Sequence, residues 1–254
     1  MRVNPLRDVG AAVRFLTVLP WPGARSCEHA AVARAAWAFP VVGLLVGACS
    51  TAAGLAAAWL FGPPLHVIAA VAGSAVVTGG LHLDGLADSA DALFSWRSRE
   101  KKLEILRDSR IGTMGALALF LVLATKLGAL HALGPHWWKA ALLAPVWGRW
   151  SALYGIVAFP PARSDGLGAG LRAHLRAEHF IAATLLAVAI GGLLSPPAGA
   201  LVGLLAFALS HVTARAMTRS LGGLTGDTYG ALGELAEVAV VITLLALQRQ
   251  AGLR

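Results

Sequence analysis

Long apolar runs separated by short polar connections make up most of the chain. Crossing a bilayer takes about 20 apolar residues, and such runs can be drawn at 37–60, 65–82, 112–133, 138–160, 179–195, 198–214 and 235–248. They predict an all-α polytopic membrane bundle of about seven transmembrane helices. Because neither an internal repeat nor a boundary to a soluble domain is visible, residues 1–254 are predicted to form a single membrane-embedded domain.

Composition supports this membrane assignment. Of 254 residues, 57% are hydrophobic and 13% are charged, and the mean hydropathy is +0.69, far from the average of soluble proteins. We expect no cleavable signal peptide, because charged residues are spread through the first twenty positions. Cys27 and Cys49 lack metal-like spacing, and we expect no disulfide between them.

The basic residues predict which loops face the cytoplasm. Lys and Arg concentrate in the connections 94–110, 161–178 and 215–234, whereas the alternate connections contain only Lys139. Cytoplasmic loops carry such an excess, so these three connections are predicted to lie inside. The net charge of +8 is therefore attributed to membrane topology and not to a nucleic-acid-binding surface. Seven crossings would place the C-terminus outside despite Arg249 and Arg254, which leaves the seventh helix the weakest part of this topology.

Seven of the thirteen acidic residues fall in three short segments, each at a predicted cytoplasmic helix end. On a helix, positions i, i+4 and i+7 share one stripe, which is the spacing of Asp84, Asp88 and Asp91. Carboxylates so close repel one another unless a cation lies between them, and oxygen ligands without cysteine favour Mg²⁺ or Mn²⁺. We predict a metal site at Asp84, Asp88, Asp91 and Asp227, completed by Glu234 or Glu237. The alternative is a solvated helix end paired with nearby basic residues.

Other polar residues near these acids are candidates for substrate binding. Arginine side chains can hold phosphate with two hydrogen bonds, and glycine-rich turns such as "RIGTMG" and "LGGLTGD" can bring backbone N–H groups near phosphate oxygens. Lys126, Arg149 and His211 lie inside apolar runs and should face the bundle interior. The predicted substrate-binding set is His82, Arg107, Asp108, Arg110, Arg149, Arg219 and Thr225.

Two long motifs carry a resemblance to a known family. The segments "TGGLHLDGLADSADALFSWRSREKKLEILRDSRIGTMGALAL" and "LGGLTGDTYGALGELAEV" resemble the signatures of the adenosylcobinamide-GDP ribazoletransferases, or cobalamin synthases. A third segment, "FLTVLPWP", is a weaker match, since many members have Arg where this chain has Val18. The resemblance spans about residues 15–240.

The resemblance implies a catalytic membrane domain that acts in the last stage of vitamin B12 assembly. Members join adenosylcobinamide-GDP to α-ribazole or its 5′-phosphate and release GMP, and they are Mg²⁺-dependent proteins of the inner membrane. This implication agrees with the carboxylates and arginines above, because phosphoryl transfer requires charge neutralisation and a base for the attacking hydroxyl. The resemblance leaves open which acceptor is preferred and the oligomeric state.

Three other classes of protein fit part of the pattern. Membrane prenyltransferases and CDP-alcohol phosphotransferases also hold Mg²⁺-diphosphate with Asp-rich helices, but "DGLADSAD" lacks the Asn-Asp opening of the first and the Arg after Ala of the second. A cation-coupled transporter could also use intramembrane acids, but transporters place their sites near the bilayer midplane.

Overall fold

The fold is all-α, with no β-strand, over the residues that the computed structural model describes, 5–22, 28–63 and 65–252; Cys27 and Arg254 lie outside these ranges. The helices are α1 (Pro5–Leu16), α2 (His29–Arg34), α3 (Phe39–Phe61), α4 (Leu65–Thr78), α5 (Leu81–Leu93), α6 (Arg99–Ile105), α7 (Thr113–Ala132), α8 (Trp137–Ala158), α9 (Leu167–Arg172), α10 (Ala177–Leu194), α11 (Gly199–Leu221) and α12 (Gly226–Gln250). Short 3₁₀ turns precede α3 and α8.

The prediction of an all-α polytopic membrane protein is confirmed. Within the described ranges, five helical stretches are long and apolar enough to cross a membrane, and a sixth results if α4 and α5 form one bent span. The five are His29–Phe61, Thr113–Ala132, Ala177–Leu194, Gly199–Leu221 and Gly226–Gln250. The predicted count of seven is not confirmed.

Helix α8 is long enough to cross a membrane but is not apolar enough to be counted as a candidate span. It is 22 residues long and carries Lys139, Arg149 and four tryptophans, and it is not among the apolar candidates. Most of its residues are buried by other parts of the protein. A helix that contacts protein rather than lipid does not need a uniformly apolar surface, so α8 is the interior helix of the bundle.

Small residues allow α3 to pack closely on α8. Gly43 and Gly47 lie four positions apart, and a Cβ added at Gly47 would come within 2.6 Å of the backbone oxygen of Leu142. A Cβ at Gly43 would come even closer to the backbone oxygen of Pro145, at 2.4 Å. Pairs of small residues at this spacing let membrane helices approach to backbone contact, and this contact fixes α3 against the interior helix.

The apolar run predicted at 65–82 is broken by a sharp bend. Gly79 and Gly80 both have positive φ, 61° and 71°, a conformation that glycine adopts without steric cost. Helix α5 consequently leaves α4 at an angle of 89°. The prediction of one continuous helix over this run is therefore wrong, and the bend directs the acidic stripe of α5 against α7 and α12.

The three basic connections meet at one end of the bundle. Arg99 Nε donates a hydrogen bond to the carbonyl of Leu221 at 2.7 Å, and the same guanidinium reaches the carbonyl of Ala162 at 3.3 Å. The segments around Pro161 and Leu224 also form an isolated parallel bridge. Residues from 94–110, 161–178 and 215–234 are thus joined directly, and the side of the membrane that they face stays a prediction.

Candidate active site

Two acids of the α5 stripe line one open cavity at this end of the protein. Asp84 and Asp88 border a space of about 680 Å³ together with residues that follow α1 and residues that precede α7. Asp88 is also close enough to Asp84, Asp91, Asp108 and Asp227 to interact with each electrostatically. The acids of the three predicted segments, apart from the two glutamates, therefore gather around Asp88.

Asp227 reaches this group because α5 and α12 pack closely. A Cβ added at Gly85 would lie 2.6 Å from the backbone oxygen of Asp227, so only glycine permits this approach. Thr225 precedes α12 as its N-cap, accepting a hydrogen bond from Thr228 N at 3.4 Å, and its hydroxyl lies 3.3 Å from the Asp227 carboxylate. The "LGGLTGD" turn thus orients Asp227 toward the α5 stripe.

Asp91 has a structural role that its spacing did not reveal. Its carboxylate accepts hydrogen bonds from the backbone N–H groups of Gly112 at 2.7 Å and Gly115 at 2.8 Å. A Cβ at either glycine would collide with the Asp91 carboxylate. The glycines of "RIGTMG" therefore bring their amides to a protein carboxylate at the start of α7, whereas the sequence suggested a phosphate.

Glu234 and Glu237 belong to a separate group of buried charges. Lys126 Nζ lies 2.5 Å from Glu234 Oε2 and 2.7 Å from Glu237 Oε2, and Arg149 pairs with the other oxygen of Glu237. We call these four residues the buried ion cluster. All four side chains are at least nine-tenths buried, so the glutamates are neutralised by protein cations. Their predicted part in a metal site stays a prediction.

His82 lies between the cluster and the α5–α12 contact. It is 4% exposed, and α12 passes it at Gly230 and Gly233. Its Nδ1 has no hydrogen-bond partner among the described residues. His82 therefore points away from the Asp stripe, as its offset from Asp84 predicts. His211, another polar residue inside an apolar run, pairs with the hydroxyl of Tyr154 at 2.8 Å.

The arginines near the acids differ in whether their side chains are already paired with a protein carboxylate. Arg110 makes two side-chain hydrogen bonds to Asp108, at 2.9 and 2.6 Å, and this contact lowers the pKa of the Asp108 carboxyl to about 2. Both residues are thus engaged with each other. Arg107 and Arg219 are exposed at the same end of the protein.

Arg163 is a candidate that the sequence analysis did not single out. It is half-buried and donates to the carbonyl of Leu103, and it interacts electrostatically with Asp227 and Arg107. The bridge between Pro161 and Leu224 holds its loop beside the "LGGLTGD" turn. Only this tertiary contact brings Arg163 near Asp227, since the two residues are far apart in sequence.

The acids around Asp88 do not form a closed metal cage. Among the described residues, no three His, Cys, Asp or Glu side chains are close enough together to hold a metal ion by themselves. Mg²⁺ is typically bound through one or two carboxylates, with water and substrate phosphates completing its coordination. Asp84 and Asp88 beside an open cavity fit that mode of binding, in which the substrate supplies the remaining ligands.

Comparisons with known proteins agree with the resemblance of the motifs. The family model for cobalamin-5-phosphate synthase matches residues 8–245. The chain is similar to the adenosylcobinamide-GDP ribazoletransferase of Roseiflexus sp. (strain RS-1), with 45% identity over 95% of this chain and 90% of the relative. The protein of that name from Herpetosiphon aurantiacus is 46% identical over 95% and 97%, and that from Klebsiella pneumoniae (strain 342) is 37% identical over 94% and 100%. No solved structure matches.

Proposed function

Because the chain belongs to the cobalamin-5-phosphate synthase family, we propose that it is an adenosylcobinamide-GDP ribazoletransferase. It joins adenosylcobinamide-GDP to α-ribazole or to α-ribazole 5′-phosphate and releases GMP. The observation that carries this proposal is the near-complete coverage of relatives bearing that name. The carboxylates of Asp84 and Asp88 beside an open cavity supply a site of the kind that the reaction needs.

The reaction exchanges one phosphorus–oxygen bond for another. A ribose hydroxyl of the acceptor that is free in both α-ribazole and its 5′-phosphate attacks the cobinamide-side phosphorus, a phosphodiester forms, and GMP leaves with the bridging oxygen. The hydroxyl proton passes to a carboxylate, and the acids that line the cavity, Asp84 and Asp88, are placed to receive it. Arg107 and Arg163, on the Asp227 side of the group, would hold phosphate oxygens of the donor.

We propose Mg²⁺ as the cofactor, held by Asp84 and Asp88 with Asp227 nearby. When bound, the ion supplies charge neutralisation at the diphosphate. Residues of the chain position the carboxylates. The Gly85 contact keeps Asp227 beside α5, and the hydrogen bonds from Gly112 and Gly115 to Asp91 fasten the end of the stripe to α7.

We also propose that the protein is a multi-pass protein of the cell inner membrane with its active site on the cytoplasmic side. Support comes from the excess of Lys and Arg in the three connections that meet at the site. The lipid bilayer would surround the bundle, and both substrates would arrive from the cytoplasm.

Cysteine labelling tests this orientation. Single cysteines at Ser98 and Ser164, in a chain lacking Cys27 and Cys49, are expected to resist a membrane-impermeant maleimide in intact cells and to react after the cells are opened. A single cysteine at His136, in a connection predicted to lie outside, should react in intact cells. Labelling of Ser98→Cys from outside at the rate of His136→Cys would reverse the proposed orientation.

A reaction assay tests the activity and its metal requirement together. Purified protein in detergent, given adenosylcobinamide-GDP, α-ribazole and Mg²⁺, is expected to release GMP and form adenosylcobalamin in equal amounts. Chelation with EDTA should abolish both products, and excess Mg²⁺ should restore them. Omission of ribazole should leave little GMP. Consumption of an isoprenyl diphosphate or a CDP-linked lipid, with the corrinoid untouched, would instead identify one of the rival transferases.

A further inference from the structure

A second cavity lies at the opposite end of the bundle from the acids. It has a volume of about 470 Å³, and it is bordered by the ends of α7 and α12 and by the starts of α8 and α11. Helix α7 begins beside Asp91, which accepts a hydrogen bond from the amide of Gly112, and a helix of 20 residues is about 30 Å long. This cavity is therefore far from the carboxylates of the candidate active site.

The wall of this cavity is mostly apolar. Four leucines line it, Leu133, Leu201, Leu244 and Leu247, and three of the other lining residues are alanines. Alanine side chains are too short to fill the space between the helices, and an unfilled apolar space forfeits van der Waals contacts. The wall is also fixed in place, because Gln248 Nε2 on α12 donates a hydrogen bond to the carbonyl of Leu133 at the end of α7, at 3.4 Å. The cavity therefore suits a hydrocarbon chain.

Lys139 gives this cavity a positive charge. It lies on the wall and is half-buried. Among the described residues, no Asp or Glu lines the cavity, and Lys139 takes part in none of the ion pairs. The sequence has no acidic residue in 133–140, 195–201 or 244–251, the segments that contribute to the wall. Because a partly buried charge is costly unless it is paired, Lys139 favours an anionic ligand.

The positions of the charge and of the apolar wall fit an amphiphile better than a soluble anion. The ring centroid of Trp138 lies 5.7 Å from Lys139 Nζ, and tryptophans concentrate at the level of the lipid head groups. His136 and Ser195 also line the cavity and add hydrogen-bond donors. A phosphate group at Lys139 with an acyl chain along the leucines uses both features, whereas a free phosphate leaves the apolar wall uncovered.

From these observations we propose that this cavity binds one anionic phospholipid, with its phosphate at Lys139 and the first part of an acyl chain along the leucines. Its volume is within the range of about 300–1,000 Å³ that encloses ligands of drug size. The bound lipid contacts α8, α11 and α12 together, so it fastens the last helix to the bundle. A choline head group binds more weakly, because it brings a second cation beside Lys139. The proposal does not depend on the function proposed above, since the two cavities lie at opposite ends of the protein.

Native mass spectrometry of the purified protein tests this site by titration with phosphatidylglycerol and with phosphatidylcholine of the same acyl chains. The wild-type protein is expected to bind phosphatidylglycerol about tenfold more tightly. Lys139→Gln is expected to weaken binding of phosphatidylglycerol about tenfold, because the contact between ammonium and phosphate is charge-assisted, and to leave binding of phosphatidylcholine nearly unchanged. Arg249→Gln is the matched control. It removes one exposed cation from the same end of the protein but not from the cavity wall, and both affinities should stay within about twofold of the wild type.

A second variant and a second measurement keep the proposal testable if Lys139→Gln does not fold. Leu201→Trp fills part of the cavity with a larger side chain and is expected to weaken binding of phosphatidylglycerol. The lipid should raise the unfolding temperature of the wild type and of Arg249→Gln by at least about 4 °C, and that of Leu201→Trp by much less.

Three results would overturn the lipid site. The first is equal affinity of the wild type for the two phospholipids. The second is an equal effect of Lys139→Gln and Arg249→Gln, or no effect of Leu201→Trp, since the lipid would then bind outside the cavity. The third is binding of glycerol phosphate at the concentrations at which phosphatidylglycerol binds, which would identify a site for soluble phosphate.

Discussion

Asp84→Asn is expected to reduce the rate of GMP release by at least about 10²-fold, the cost typical of losing one group that stabilises transition-state charge. The amide keeps the shape of the side chain but cannot supply the negative charge that a metal ion requires or accept the proton of the attacking hydroxyl. Asp84 borders the cavity where we place that chemistry. Steady-state rates at saturating substrates and a range of Mg²⁺ concentrations measure the effect.

The matched control for this variant is Glu178→Gln, which removes one carboxylate at the start of α10, where the side chain is 67% exposed. It should leave the rate and the Mg²⁺ dependence unchanged. If the Asp84→Asn protein is folded and retains both the wild-type rate and the wild-type Mg²⁺ requirement, Asp84 has no part in the site, and the metal proposal loses its central member.

Arg149→Met is expected to destabilise the folded protein by about 3–5 kcal/mol, the range found when one partner of a buried ion pair is removed. The buried ion cluster has two acids and two bases, so its formal charge is zero. Removal of Arg149, which is 1% exposed, leaves a net negative charge in a part of the bundle that water reaches poorly. Unfolding in detergent, followed by Trp fluorescence against temperature or denaturant, measures the change.

The double variant Arg149→Met, Glu237→Gln distinguishes charge from packing. It restores neutrality, because Lys126 still faces Glu234 at 2.5 Å, and it should recover most of the lost stability. Arg176→Ala, at a side chain that is 75% exposed, serves as the control for loss of an arginine and should have little effect. Equal loss of stability in the single and double variants would mean that the side chain of Arg149 matters for its packing and not for its charge.

The sequence predicts helices well where the cause is local. Each predicted apolar run contains a helix, because length and apolarity alone favour one in a bilayer. The bend at Gly79 and Gly80 escaped prediction, since both glycines lie near the end of a run that is apolar enough to be one span, and glycine there permits positive φ without requiring it. Likewise, α8 could be predicted as a helix, but its burial at the centre of the bundle could not.

Some features of the candidate site likewise follow from local sequence, and others depend on how the helices pack. The shared face of Asp84 and Asp88 follows from helical spacing alone, so the sequence is sufficient to predict it. That Asp91 binds the amides of Gly112 and Gly115 depends on how α7 meets α5. The pairing of Glu234 and Glu237 with Lys126 and Arg149 likewise depends on packing, because any carboxylate near the end of a helix has the same local sequence signature whether it binds a metal, water or a lysine.

The composition of the buried ion cluster also has a consequence for biosynthesis. Its two cations lie on α7 and α8, whereas its two acids lie on α12, the last helix of the described chain. A ribosome therefore completes Lys126 and Arg149 roughly a hundred residues before their counter-charges exist. Since an unpaired charge at membrane depth is costly, α7 and α8 carry that cost until α12 has been translated, and its two glutamates then offset it.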